Sequence, residues 1–318
     1  MIWLQLGLAL LGLIGLFYGA EWLVGGSSRL AFHLGISPLI VGLTIVAFGT
    51  SSPELLVALR ANPQGNGSLV MGNVTGSNIY NLALILGIGA FIYPLKVPRQ
   101  LLVRDMPIML LASFALLWLV RDDQIARWEG GALFAGLLGY LVWSGFTSAK
   151  QIKESVAGEF AGPSDQSTTS VPKCLLVIVG GITCLGVGAE LLVDSAEKIA
   201  RHFGISDAVI GLTLLAFGTS VPELATVVVA SMKREGDIIT GNIIGSNIFN
   251  IMAILGITAL GKPIQFQAAP MTLDFRFMLG IALLCYPLMI TRRLLSRWEG
   301  AVLLIVCTTY LFFVYQRI

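Results

Sequence analysis

The sequence predicts an all-α integral membrane protein with ten transmembrane helices in two inverted five-helix repeats. Hydrophobic residues make up 56% of its 318 residues and charged residues 12%, whereas a soluble domain carries about 25% charged residues. Several apolar stretches reach the roughly 20 residues that a membrane helix needs, and the second part of the chain repeats the first. Because these stretches are continuous and not alternating, they indicate helices and not the strands of a membrane barrel.

The apolar stretches form two sets of five. They lie near residues 2–20, 37–60, 69–92, 105–120 and 129–147, and then near 173–193, 206–231, 238–260, 274–291 and 299–316. An odd number of crossings starts the second set on the opposite side of the membrane, so the repeats are predicted to be inverted. The predicted organisation is an N-terminal repeat at 1–147, a polar linker at 148–172 and a C-terminal repeat at 173–318. The basic residues of the loops predict that the linker is cytoplasmic.

The repeat is clearest in two pairs of motifs. Residues 42–55 read GLTIVAFGTSSPEL and residues 211–224 read GLTLLAFGTSVPEL, with 11 of 14 positions identical. Residues 72–87 read GNVTGSNIYNLALILG and residues 241–256 read GNIIGSNIFNIMAILG, with 10 of 16 identical. Both pairs share one offset of 169 residues. Each half therefore brings the same polar residues into the membrane.

The first motif of each half predicts a broken helix with a carboxylate beside the break. Pro53 follows Gly49 by four residues, and a proline removes a backbone donor and clashes with the preceding turn. We expect the break to free the carbonyls of Ala47 and Thr50 as ligands, next to serine hydroxyls and the Glu54 carboxylate. The second half repeats this set as Ala216, Thr219, Ser220, Pro222 and Glu223.

A local alternative is that these residues cap helices. Ser51 to Glu54 and Ser220 to Glu223 both fit the Ser-x-x-Glu capping box. A charge at the centre of a membrane helix costs roughly 2.5–3.5 kcal/mol, however, and a cap returns only about 1 kcal/mol. Two such carboxylates in mirrored motifs favour a shared central site, with which a cap remains compatible.

The second motif of each half predicts a polar stripe. Its polar residues are four apart and therefore share one helix face. They are Asn73, Ser77 and Asn81, and in the second half Asn242, Ser246 and Asn250. Close packing of small residues is the alternative, and it explains the neighbouring glycines. It explains three stacked polar residues less well, so we predict that part of each stripe binds ligand.

Carboxylates, hydroxyls, amide oxygens and carbonyls together form an all-oxygen site. Oxygen ligands suit hard cations, and Ca2+ takes about six to eight of them. Two glutamates would neutralise one Ca2+ or two Na+. A third Na+ would leave one net charge, which couples transport to voltage by about 2.3 kcal/mol per 100 mV. No resident cofactor is expected.

The paired motifs resemble the α-repeats of the Ca2+/cation antiporter superfamily, and within it those of prokaryotic Na+/Ca2+ exchangers, over nearly the whole chain except the linker. The resemblance implies ten helices around a midplane site, with spans one and six sliding to alternate access. It also implies Ca2+ carboxylates at Glu54 and Glu223 and oxygen ligands at Thr50 and Thr219. The further implied ligands are the carbonyls of Ala47 and Ala216, the hydroxyls of Ser51, Ser77, Ser220 and Ser246, and Asn81 and Asn250. Some relatives have Asp at one of the last two positions, where this chain has Asn.

The sequence therefore predicts a Na+/Ca2+ antiporter, multi-pass in the plasma or inner cell membrane, and not an enzyme. Its expected partners are Ca2+, Na+ and the lipid bilayer, without an obligatory protein partner, and a net charge of +2 does not suggest nucleic acid. The alternatives are a H+/Ca2+ antiporter, a K+-dependent Na+/Ca2+ exchanger and, in another class, a cation channel. Gly-Ser-Asn-Ile, in place of an acidic residue after Gly-Asn, favours Na+ over H+.

Three further pairs of residues recur in both halves. Asp105 and Asp274 open predicted spans, which is typical of helix caps. Glu21 and Glu190 lie near the ends of spans one and six and are candidates for gate or interface residues. His33 and His202 precede Gly-Ile-Ser near predicted helix starts, which indicates a structural role at the membrane interface.

Overall fold

The computed structural model describes residues 2–155, 170–203 and 216–316, and these residues are almost entirely helical. The helices are α1 (Ile2–Leu34), α2 (Pro38–Thr50), α3 (Ser52–Gln64), α4 (Gly67–Ile92), α5 (Leu101–Asp122), α6 (Arg127–Ser155), α7 (Val171–His202), α8 (Val221–Met232), α9 (Gly236–Gly261), α10 (Ala269–Arg293) and α11 (Arg297–Tyr315). One helical turn, Ala216–Gly218, precedes α8. The strands are β1 (Leu95–Lys96), β2 (Gln124–Ile125), β3 (Ile264–Gln265) and β4 (Leu294–Leu295).

The length and composition of the helices make this a multi-pass membrane protein. Within the described ranges, 7 helices are long and apolar enough to cross a membrane, or 8 if the bent pair α2 and α3 forms one span. The predicted spans near 129–147 and 206–231 are not among them, and the second begins in residues outside the described part. Large apolar side chains such as Trp3 and Leu10 are exposed on α1, as expected of a surface that faces lipid.

The predicted helix break in the first motif is confirmed. The axes of α2 and α3 differ by 42°, and Ser51 lies at the junction between them. Pro53 occupies the first turn of α3, where its missing N–H costs no hydrogen bond. In the second half, Thr219 and Ser220 lie at the corresponding point before α8. Residues 204–215, which hold the start of this motif and the span before it, lie outside the described residues.

Helix α1 is longer than the sequence predicted, because it continues to Leu34 and does not end near residue 20. The run of small residues after Trp22 has the composition of a helix end, yet it is a packing surface. A Cβ atom at Gly26 would lie 2.9 Å from the Ile178 side chain of α7, and Ser27 is fully buried. His33 consequently lies in the last turn of α1, shortly before α2 begins at Pro38.

Helices α1 and α7 meet along a glycine seam, formed by Gly12, Gly19, Gly181 and Gly188. A Cβ atom at Gly12 would lie 2.8 Å from the Gly188 carbonyl oxygen, and one at Gly19 would lie 2.7 Å from the backbone nitrogen of Leu185. Cβ atoms at Gly181 and Gly188 would meet the backbone of α1 at 2.7 and 2.8 Å. Only glycine permits two helix backbones to approach this closely. Gly181 and Gly188 follow Gly12 and Gly19 by 169 residues. Each contact that a glycine of α1 makes with α7 is therefore matched by one that the equivalent glycine of α7 makes with α1.

The short strands also pair one half of the chain with the other, at two places. Strand β1 pairs with β4 and strand β2 with β3, both antiparallel. The N–H of Val97 donates to the Arg293 carbonyl at 2.9 Å, and the N–H of Phe266 donates to the Asp123 carbonyl at 3.0 Å. Each pair contains one strand from each half, and the partners exchange roles at an offset of 169 or 170 residues. The loops therefore join the halves at two equivalent places.

The predicted linker at 148–172 lies partly inside helices. Helix α6 continues to Ser155 and α7 begins at Val171, so both ends of the predicted linker are helical. Residues 156–169 lie outside the described part of the chain. The domain boundaries therefore stay a prediction.

Candidate cation site

The predicted site residues gather where α2, α3 and α4 meet α8 and α9. Glu54, Glu223, Asn81 and Asn250 are fully buried. The other buried members of the predicted set are Ala47, Thr50, Ser51, Ser77, Ser220 and Ser246. Thr219 is half-buried, and Ala216 opens the helical turn before it. The two halves therefore contribute to one buried polar centre and not to two separate ones.

Hydrogen bonds across the halves replace the local caps that the sequence allowed. The Ser51 hydroxyl donates to Glu223 Oε1 at 3.0 Å, so it bonds the carboxylate of the other half and not Glu54. The Ser220 hydroxyl donates to Ser77 Oγ at 3.2 Å, and Ser77 Oγ donates to Glu54 Oε1 at 3.3 Å. Neither Ser51 nor Ser220 makes a side-chain cap bond. The capping-box alternative is therefore wrong for both motifs.

Two mirrored Thr–Asn hydrogen bonds flank this centre. In the first corner, the Thr50 hydroxyl lies 3.1 Å from Asn242 Oδ1. In the second corner, the Thr219 hydroxyl lies 3.1 Å from Asn73 Oδ1. Asn73 Nδ2 also donates to the Glu54 backbone carbonyl at 3.3 Å. The polar stripes predicted from the second motifs thus meet the broken helices of the opposite half.

Four buried side-chain oxygens at the centre have no hydrogen-bond partner among the described residues. They are Glu54 Oε2, Glu223 Oε2, Asn81 Oδ1 and Asn250 Oδ1. The ion pairs found in the described ranges include neither glutamate. Burying a polar atom without a partner is costly, and burying an unpaired charge costs more. Two carboxylates and free acceptor oxygens in one buried centre are what a cation would satisfy.

The two central asparagines lie at irregular points of their helices. Asn81 belongs to the π-helical segment Tyr80–Ile85 of α4, and Asn250 begins the π-helical segment Asn250–Leu255 of α9. Such π-bulges are frequent at functional sites. The sequence reasoning missed Asn78, whose Oδ1 accepts from Asn250 Nδ2 at 3.2 Å. Its signal was the third position of Gly-Ser-Asn-Ile, which recurs in the second half.

The geometry corrects one predicted detail and shows one difference between the halves that was not predicted. The Ala47 carbonyl is not freed by the helix break, because it accepts the Ser51 N–H at 3.0 Å, which leaves its second lone pair for an ion. Ser246 donates to Asn242 Oδ1 at 3.4 Å and not to Glu223, unlike its counterpart Ser77. The serines of the two stripes therefore have different partners.

The acidic residues at the starts of two spans do not cap helices. Asp105 Oδ1 accepts hydrogen bonds from Arg104 Nε at 2.7 Å and from the Tyr140 hydroxyl at 3.0 Å. Asp274 Oδ1 accepts one from the Tyr310 hydroxyl at 3.0 Å. No side-chain cap bond is present at either helix start. Both aspartates join neighbouring helices, which contradicts the sequence prediction of caps.

A cavity of about 1010 Å³ reaches the second corner. Asn73 and Thr219 line it, together with Glu190 from α7 and Asp274 from α10. The first corner is closed, since Thr50 and Asn242 are both 0% exposed. Glu21, the counterpart of Glu190, lies 3.3 Å from Lys233 Nζ. Among the described residues, the buried centre therefore adjoins this cavity at its second corner, whereas its first corner is closed.

The fold and the site define a multi-pass membrane protein with a buried, oxygen-lined centre that contains two carboxylates. The family model for the sodium/calcium exchanger protein matches residues 4–146 and 173–316. The chain therefore belongs to the sodium/calcium exchanger family, which confirms the resemblance seen in its motifs.

Curated relatives and solved structures resemble the chain over nearly its whole length. It is 31% identical to sodium/calcium exchanger MaX1 of Methanosarcina acetivorans, covering 98% of both chains. It is 37% identical to inner membrane protein YrbG of Escherichia coli, covering 89% of both chains. A solved structure of the sodium-calcium exchanger NCX_Mj, soaked with 2.5 mM Na+ and 0.1 mM Sr2+, has a TM-score of 0.82 at 34% identity, covering 98% of this chain and 99% of that one.

Proposed function

We propose that this protein exchanges Na+ for Ca2+ across the membrane. The observation that carries the proposal is the pair of buried carboxylates, Glu54 and Glu223, which come from opposite halves without an ion-pair partner in the described ranges. Their two negative charges match one Ca2+ or two Na+, and oxygen ligands suit both ions. The relatives that carry the name sodium/calcium exchanger support Na+ and Ca2+ as the two exchanged ions.

The proposed ligands are the predicted set. Glu54 and Glu223 supply the charge for Ca2+, and Thr50 and Thr219 supply oxygen to either ion. The remaining ligands are Ala47, Ala216, Ser51, Ser220, Ser77, Ser246, Asn81 and Asn250. Ca2+ and Na+ are transported substrates, and the mechanism needs neither a resident cofactor nor an obligatory protein partner. The bilayer is its only other partner, and catalysis is not part of the proposal.

The proposed architecture is ten transmembrane helices in two inverted five-helix repeats, at 1–147 and 173–318, with a cytoplasmic linker between them in the cell membrane. The glycine seam, the two strand pairs and the two Thr–Asn corners support it, because every contact recurs with the halves exchanged. Such exchange is what a two-fold axis in the membrane plane produces.

The open and closed corners support alternating access. The cavity at the second corner is also lined by Arg60 and Ser68, which flank the connection between α3 and α4. In the proposed topology this connection lies on the side opposite the linker, so the site faces outward. Transport then requires that the second corner closes and the first one opens.

Uptake of 45Ca2+ into proteoliposomes of the purified protein tests the proposal. Vesicles loaded with Na+ should accumulate Ca2+, whereas vesicles loaded with K+ or a proton gradient alone should not. Uptake driven by the proton gradient alone would mean a H+/Ca2+ antiporter. Uptake that needs K+ in addition to Na+ would mean a K+-dependent Na+/Ca2+ exchanger. Uptake without any counter-ion gradient would mean a channel. Dependence of the Na+-driven rate on membrane potential would support three Na+ per Ca2+, and a rate independent of it would support two.

A further inference from the structure

We propose that Asn73 is a positioning residue that turns the Thr219 hydroxyl into a cation ligand. The inference rests on the proposed function and assigns the stripe residue that lies outside the predicted ligand set. Asn242 has the same relation to Thr50 in the first corner. The contact is between halves, since Thr219 precedes α8 and Asn73 belongs to α4.

The chemistry of a hydroxyl ligand requires such a partner. A threonine hydroxyl has one hydrogen and two lone pairs. It binds a cation through a lone pair, so its hydrogen must point away from the ion toward another acceptor. Asn73 Oδ1, 3.1 Å from Thr219 Oγ1, is such an acceptor. The hydrogen bond therefore fixes the rotation of the hydroxyl before an ion arrives, and a ligand that is already oriented binds at lower cost.

The second hydrogen bond of Asn73 fixes which end of its amide meets Thr219. Nδ2 donates to the Glu54 backbone carbonyl at 3.3 Å. A flipped amide would set Oδ1 against that carbonyl, and two acceptors would then face each other. Asn73 is 8% exposed and lines the cavity, so these two hydrogen bonds hold its amide in place on the cavity wall. The residue thus links the backbone of one central glutamate to a proposed ligand of the other half.

The first corner has the same bond with additional acceptors. Thr50 Oγ1 lies 3.1 Å from Asn242 Oδ1, and also 3.1 Å from the Val46 carbonyl and 3.4 Å from the Ala47 carbonyl. Its single hydrogen can therefore still be accepted after Asn242 is changed. We place the test at the second corner, where Asn73 Oδ1 accepts from the Thr219 hydroxyl beside the open cavity.

A double-mutant cycle on Asn73 and Thr219 tests the proposal in proteoliposomes, with the apparent KM for Na+ and the maximal rate measured separately. Asn73→Leu removes the acceptor at similar size, and Thr219→Val removes the hydroxyl. We expect each variant to raise the apparent KM for Na+ about tenfold, the loss typical of one hydrogen bond at a buried site. The double variant should be no worse than Asn73→Leu alone, because that change already removes the oriented hydroxyl ligand together with the Nδ2 bond to the Glu54 carbonyl.

Asn73→Asp serves as the matched variant, since it keeps an acceptor oxygen for the Thr219 hydroxyl but, like Asn73→Leu, lacks the Nδ2 donor to the Glu54 carbonyl. We expect it to retain an apparent KM for Na+ within about twofold of the parent or lower, because the added charge also favours cations. It keeps the proposal testable if Asn73→Leu does not fold.

Three results would overturn the positioning role: a parent-like KM in Asn73→Leu, fully multiplicative effects in the double variant, or a loss in Asn73→Asp equal to that in Asn73→Leu. These results are distinct from failure of the proposed function, which would appear as absence of Na+-driven Ca2+ uptake in the unmodified protein.

Discussion

The two Thr–Asn corners have the same chemistry in different surroundings. Thr50 and Asn242 are joined at 3.1 Å and completely buried, whereas Thr219 and Asn73 are joined at the same distance beside a cavity of about 1010 Å³. The sequence repeat therefore accounts for the polar residues of the site, but not for which corner is open. That difference lies in how the helices pack around each corner, which is the property that alternating access must change.

The packing that closes the first corner can be named. A Cβ atom at Gly241 would lie 2.5 Å from the Leu39 carbonyl oxygen, so the backbones of α9 and α2 are in contact there. Lys233 Nζ lies 3.3 Å from Glu21, and the Ser28 hydroxyl donates to Glu235 at 3.0 Å, which joins α1 to the loop before α9. On the open side, Glu190 lines the cavity, and the position equivalent to Lys233 is Gln64. The closed side thus has an ion pair between Lys233 and Glu21, and its lysine has no equivalent in the other half.

The largest expected effect concerns the two carboxylates, which should matter equally despite the asymmetric corners. Glu54→Gln and Glu223→Gln should each lower Na+-driven 45Ca2+ uptake by about 100-fold or more, because a unit charge near an ion is worth several kcal/mol at an effective dielectric of about 20. Glu197→Gln, which removes a partly exposed partner of Arg201, is the matched control and should transport at the parent rate. Near-parent uptake by either site variant would remove that glutamate from the site.

Chemical labelling tests whether the two sides differ in access. Leu69 lines the cavity and is 55% exposed, while Ile238, its equivalent in the second half, is 0% exposed. In a background without the four native cysteines, Leu69→Cys should react with a water-soluble thiol reagent at least about tenfold faster than Ile238→Cys, since buried thiols are inert. Equal rates would mean that the two sides are equally open.

Substitutions in the glycine seam should destabilise the protein equally in both halves, because the seam packs in the same way in both. Gly12→Ala and Gly181→Ala should each destabilise the protein by about 1–3 kcal/mol, since each added methyl group meets backbone atoms of the facing helix. Gly7→Ala, whose Cβ atom would meet nothing within 4 Å, should leave thermal unfolding in detergent unchanged. If Gly12→Ala unfolded at the same temperature as Gly7→Ala, the close contact of α1 and α7 would be wrong.

The weakest effect is expected from the ion pair between Lys233 and Glu21. Lys233→Gln installs the residue found at the equivalent position of the open side, and should speed labelling of Ile238→Cys about twofold to fivefold, since a partly exposed ion pair is worth about 0–1 kcal/mol. Lys173→Gln, at an exposed lysine, is the control. No change in the labelling rate would show that the Lys233–Glu21 pair does not keep this side closed.

The sequence predicted the helix break and which polar residues lie together at the buried centre, but not the bonds between them. Gly49 and Pro53 predicted the break that bends α2 against α3 by 42°. The capping alternative is wrong because the Ser51 hydroxyl bonds Glu223 of the other half, and only the packing of the halves shows this contact. Local spacing cannot reveal it, since the partner is 172 residues away in sequence.

Helix ends and loop partners could not be predicted from the sequence for a similar reason. The small residues at 25–28 have the composition of a helix end, but packing against α7 keeps them helical. Asp105 and Asp274 begin spans as caps do, yet each bonds a tyrosine of another helix. The short strand pairs join distant loops by backbone bonds, which leave no side-chain pattern in the sequence.

Equilibrium binding of 45Ca2+ to the purified protein, titrated with Na+, shows whether two carboxylates from opposite halves form one site that Ca2+ and Na+ share. Ca2+ should bind at a single site, be displaced by Na+ with a steep dependence on its concentration, and be lost in both Glu54→Gln and Glu223→Gln. Ca2+ binding that persisted in saturating Na+, or that survived in either glutamine variant, would contradict this shared site.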